Sequence, residues 1–88
     1  MFRKLYWVVE EAEPTGYRVT GVYTSIYDLV DTGIKAAAIR LTLTPLDRRD
    51  QPIGCWSSFD NIQTDLAPLL EKGELKLDDV QYLASTLK

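Results

Sequence analysis

Leu5, Trp7 and Val9 alternate with Lys4, Tyr6, Val8 and Glu10, the two-residue period of a β-strand rich in aromatic and β-branched side chains. Apolar residues fall on both faces of this run, which predicts an inner position in a sheet. Glu13-Pro14-Thr15-Gly16 follows, with proline in the second and glycine in the fourth place of a type I hairpin turn. Tyr17, Val19 and Tyr23 then alternate with Arg18, Thr20 and Thr24, so a second strand is expected to return antiparallel to the first. At Ser25 the period changes. Ser25 is placed as an N-cap, Asp28 stands three residues later as its capping-box partner, and Ile26, Leu29 and Val30 form one apolar stripe that Gly33 closes.

Ile39, Leu41 and Leu43 against Arg40, Thr42 and Thr44 make the cleanest alternation in the chain, a strand with one buried and one wet face. Pro45 ends it, Leu46 to Gln51 reads as a polar hairpin loop, and Pro52 to Ser58 is expected as the fourth strand, with proline at its first position. Phe59, Ile62, Leu66, Leu69 and Leu70 share a helical face, with Gly73 as the stop. Pro68 removes an amide donor from that helix and crowds the carbonyl four residues earlier, so a kink or a split is expected there. A last helix begins with Asp78 as N-cap and Gln81 as its capping partner, and presents Val80, Leu83, Ala84 and Leu87.

The expected architecture is therefore α+β: a four-stranded, mostly antiparallel sheet with helices on one face, in the order ββαββα plus a C-terminal helix. At an offset of 33 residues, Gly21-Val22-Tyr23-Thr24-Ser25-Ile26 lies on Gly54-Cys55-Trp56-Ser57-Ser58-Phe59. Either an internal duplication or the shared demands of a strand running into a capped helix accounts for this match. The chain divides accordingly into a first ββα unit (1–36), a second (37–74) and the terminal helix (75–88), all within a single domain.

Composition narrows what such a scaffold can do. The chain has 88 residues, 45% of them hydrophobic, one cysteine, no histidine and a net charge of -3, which suits one compact unit and argues against intrinsic disorder. The absence of histidine excludes Ser-His and Cys-His nucleophilic pairs, imidazole metal sites and a histidine switch near neutral pH. One cysteine excludes an internal disulfide and an all-thiolate zinc site. The run after Arg3-Lys4 stops at Glu10 without a small-residue cleavage site, and no apolar stretch is long enough to span a bilayer, so a cytoplasmic location without membrane attachment is expected. The basic residues are scattered as Arg3-Lys4, Arg18, Arg40 and Arg48-Arg49, which disfavours nucleic acid as a partner.

Cys55, at a strand position, reads as a small buried side chain rather than a nucleophile. Ser57, Ser58 and Asp60 read as capping residues rather than an anion site, and Glu10-Glu11 and Asp78-Asp79 as solvated pairs without metal-ligand spacing. No cofactor is expected. The surplus is aromatic. Trp7 and Phe59 are expected in the core, while Tyr6, Tyr17, Tyr23, Tyr27 and Trp56 are the candidate interface or ligand surface, because amphipathic rings dominate interface hot spots and line ligand grooves. The leading expectation is a non-enzymatic protein-interaction or regulatory module that self-associates through a sheet face or edge, or binds another protein. The alternative is a small-ligand-binding domain with a groove between sheet and helices lined by Tyr17, Tyr23 and Trp56.

Overall fold

The computed structural model describes residues 4–33 and 39–86. Within them the chain forms β1 (Leu5–Glu13), β2 (Gly16–Tyr23), α1 (Ile26–Asp28), a π-helical turn (Leu29–Gly33), β3 (Ile39–Pro45), β4 (Gly54–Trp56), α2 (Ile62–Asp65), α3 (Ala67–Glu71) and α4 (Leu77–Thr86). The strands make one antiparallel sheet in the order β2-β1-β3-β4. The α+β architecture is thus as expected, and β1 is an inner strand, as its two apolar faces require. Leu87 and the boundary at 36/37 lie outside the described residues.

One face of this sheet carries the core. Trp7 and Val9 of β1 and Ile39, Leu41 and Leu43 of β3 project to the same side. They cluster with Ile26, Leu29, Ile62, Leu66, Leu69, Val80 and Leu83, all almost fully buried. Every described helix places its buried residues in this single cluster. Each such side chain contributes about 1.5–3 kcal/mol by leaving water.

Pro68 splits the second helical stretch in two. Leu66, fully buried, closes α2 by donating its amide to the Ile62 carbonyl at 3.0 Å and opens α3 by accepting from Leu70 at 3.2 Å. Pro68 then sits in the first turn of α3, where a helix amide has no intrahelical acceptor to lose. Gly73, at φ +73°, ends the segment in a conformation side chains disfavour. Other boundaries differ from expectation. The fourth strand shrinks from Pro52–Ser58 to the three residues Gly54–Trp56, because Pro52 has no amide to donate and Ser57 and Ser58 turn out to solvent. α4 begins at Leu77, with the Val80 amide bonded to the Lys76 carbonyl, so Asp78 lies in the first turn rather than at the cap. Ser25 has the extended backbone of an N-cap, yet its hydroxyl makes no capping bond.

The largest departure lies within β2. Its pairing with β1 runs Trp7 with Tyr23, Val8 with Val22 and Val9 with Gly21, and then shifts so that Glu10 faces Val19, Glu11 faces Arg18 and Ala12 faces Tyr17. Thr20 is the extra residue of a β-bulge, and its Oγ1 donates to the Val9 carbonyl at 3.3 Å. Because side chains alternate from face to face, the insertion reverses the phase of the strand. Tyr23 points to the helices, whereas Tyr17 and Val19, expected on its side, point away.

The two hairpins share one local device. A Cβ on Gly21 would fall 2.5 Å from the Tyr23 ring, and a Cβ on Gly54 would fall 2.5 Å from the Trp56 ring. In each outer strand, an aromatic residue thus folds back over the bare Cα two positions earlier, and only glycine leaves room for it. These two glycines and two rings are the positions superposed by the 33-residue offset.

Candidate functional site

The second face of the sheet is built by the even-numbered residues of β1 and β3. Tyr6, Val8 and Glu10 lie beside Thr44, Thr42 and Arg40. β2 contributes Val22 next to Val8, Val19 next to Glu10 and Tyr17 next to Ala12, and β4 contributes Cys55 next to Thr42. No described helix packs on this face. Val22, Val19 and Tyr17 are 59%, 55% and 45% exposed, a high fraction for apolar strand residues. A continuous row, Val22-Val8-Thr42-Cys55, crosses all four strands, and the Thr42 hydroxyl lies 3.5 Å from the Cys55 sulfur.

Beside that row stands a charged clamp. Arg40 Nη2 donates to Glu10 Oε2 at 2.7 Å and Nε to Oε1 at 3.3 Å, the two-pronged geometry suited to a guanidinium and a carboxylate. The bonds to Glu10 hold the guanidinium pKa above its ordinary value. The Arg40 guanidinium carbon also sits 4.1 Å from the Tyr17 ring centroid, within cation–π range. Glu10, expected as a solvated acid, is thus paired and only 15% exposed. Arg18 pairs with Glu11 and Glu13 at the other side of the hairpin.

The five candidate aromatics do not form one surface. Tyr6 and Tyr17 lie on the open face. Tyr23 and Trp56 lie on the helix face, partly buried against the core. Trp56 is held there on three sides: its ring covers Gly54, its centroid lies 6.4 Å from that of Trp7, and its Nε1 donates to Asp65 of α2 at 2.9 Å. Tyr17, Tyr23 and Trp56 therefore do not line a common groove. The bulge at Thr20 sends Tyr17 to the opposite side of the sheet.

Tyr27 occupies a third place, on α1. It packs against Tyr82 of α4 with ring centroids 5.4 Å apart and donates to Asp79, while Tyr82 donates to Asp31 at 3.2 Å. Each tyrosine bonds a carboxylate on the other's segment, so the two rings clasp the first helical segment to the last. Both phenol pKa values are raised, that of Tyr27 chiefly by its hydrogen bond to Asp79 and that of Tyr82 chiefly by the charge of Asp31.

Val8, Val19, Val22 and Arg40 complete the open face without having been singled out as site residues in the sequence, and Glu10 joins them as a paired acid. Glycine inside a strand pattern is the signal that could have marked the change of phase, since Gly21 adjoins the bulge. Cys55, expected to be buried, is exposed, because its position in β4 faces away from the helices. Among the described residues no helix is long and apolar enough to cross a membrane. Comparison with models of protein families, with curated proteins and with solved structures finds no match.

Proposed function

We propose that this protein is a non-enzymatic interaction module that self-associates through the open face of its sheet. The observation that carries the reading is the exposure of Val22, Val19 and Tyr17 on a face that no described helix covers. Exposed apolar patches of this kind mark association surfaces in small proteins. Two such faces stack with their strands nearly aligned, about 10 Å apart, and a second copy supplies a matching surface by symmetry. The scaffold is read as a tandem pair of ββα units, a reading supported by the strand order and by the shared Gly21-Tyr23 and Gly54-Trp56 arrangement.

Size sets the strength expected. Strands of nine, eight, seven and three residues, at about 3.3 Å per residue and about 4.8 Å between strands, give a face on the order of 430 Å². That is around half of the ~800 Å² per partner of a stable interface, so the expected dimer is weak, with micromolar dissociation at best. Sedimentation across the micromolar range tests this. The mass should rise from monomer toward dimer, Val22→Asp should abolish the rise without altering the circular dichroism, and the Cys55 thiol should react more slowly as the protein is concentrated. A strict monomer at high micromolar concentration would overturn the reading.

A further inference from the structure

On the helix side of the sheet, where β1 begins, lies a cleft of about 710 Å³, within the range of small-molecule sites. It opens between the start of β1, the junction of β2 with α1, and the loop from α3 to α4. Its floor is apolar: Trp7 and Ile26 come from the core, and Leu5 and Leu75 pack against that core. Lys4 and Lys76 stand at the same cleft from opposite ends of the chain, and among the described residues neither ammonium has an ion-pair partner. The acids beside them are already engaged. Asp79 accepts the Tyr27 phenol, and Glu74 has an interaction of its own.

We propose that this cleft binds a small amphipathic anion, whose apolar body lies on Trp7, Ile26 and Leu75 and whose acid group is taken by Lys4 and Lys76. An apolar floor favours a ring or chain over a fully polar metabolite. Two cations with no ion-pair partner among the described residues favour a carboxylate, sulfonate or phosphate head, since charge-assisted bonds are the strong ones. The site lies on the opposite side of the sheet from the open face and is independent of self-association.

The test uses the intact chain and a pair of fluorescent probes, 8-anilinonaphthalene-1-sulfonate and its uncharged relative N-phenyl-1-naphthylamine. Saturable one-to-one binding of the sulfonate is expected. The exposed pair Lys4→Gln/Lys76→Gln should weaken it by about tenfold or more, the loss of a charge-assisted contact, and should leave binding of the neutral probe and the circular dichroism unchanged. Val22→Asp, on the other face, should leave both probes unaffected. The proposal is overturned by absence of sulfonate binding, by equal affinity in the lysine variant, or by a loss of binding that follows Val22→Asp instead.

Discussion

The two faces of the sheet are written by neighbouring residues of the same strands, yet they meet different fates. Odd positions of β1 and β3 place Trp7, Val9, Ile39, Leu41 and Leu43 against the helices and are almost fully buried. Even positions place Tyr6, Val8 and Thr42 with the Glu10-Arg40 pair, all half-buried, and of the described residues on this face only Thr44, beside Tyr6, is buried. The difference is one of coverage more than of composition, because β1 is apolar on both sides. A strand that invests apolar residues in its uncovered face presents surface that a self-contained monomer does not need.

The sharpest contrast between the faces is a pair of truncations. Trp7→Ala should cost about 3–5 kcal/mol of folding stability, read by urea denaturation, because it opens a hole beneath Trp56 and α1. By the same measurement Val22→Asp should stay within about 0.5 kcal/mol, as an exposed substitution does. Comparable costs for the two would erase the distinction between a packed face and a free one.

Deleting Thr20 attacks the comparison itself. Without the extra residue the outer half of β2 must either turn Tyr17 and Val19 toward the helix side or lose its pairing. Stability should fall by about 1–3 kcal/mol, and self-association should weaken. The Tyr17 ring should also leave the Arg40 guanidinium, which the ring resonances of Tyr17 report by NMR. Unchanged Tyr17 resonances would mean that the bulge does not set the facing.

The smallest effect belongs to the tyrosine clasp, which touches neither face. Raised phenol pKa values mean that the stabilisation is present below the ordinary tyrosine value of 10.0 and is lost as pH climbs through the higher folded values. Tyr27→Phe should lower the melting temperature slightly near neutral pH and reduce the alkaline sensitivity of the wild type. The ring resonances of Tyr27 and Tyr82 followed by NMR through an alkaline titration check this, and titration of these two phenols at the ordinary value would contradict the clasp.

How much of this could be read from the chain follows from the range of each interaction. Alternation in β1 and β3, the split at Pro68 and the stop at Gly73 are local, and each is visible within a few residues. The phase reversal at Thr20 is local too, but threonine is an ordinary strand residue, and the strictly alternating pattern through Tyr23 concealed it. The short β4 reflects what it lacks: beyond Gly54, Cys55 and Trp56 the ladder to β3 continues only as the Ile53 amide's bond to the Leu43 carbonyl at 2.8 Å, and Pro52 has no amide to extend it. The tyrosine clasp joins positions 51 apart in the chain, and Lys4 meets Lys76 only across the fold. No periodicity carries that information, because it resides in how separate elements come to rest against one another.

The bulge has a consequence for how the chain can change over time. In an unbroken strand, every second residue answers to the same neighbour, so a substitution that alters recognition also tends to disturb packing. In β2 the inserted threonine moves Tyr17 and Val19 to the other side: Tyr23 and Gly21 answer to the core, while Tyr17, Val19 and, between the two core positions, Val22 face the outer surface. Tyr17 and Val19, beyond the bulge, can therefore vary without touching the core positions Gly21 and Tyr23, although all four stand within eight consecutive residues.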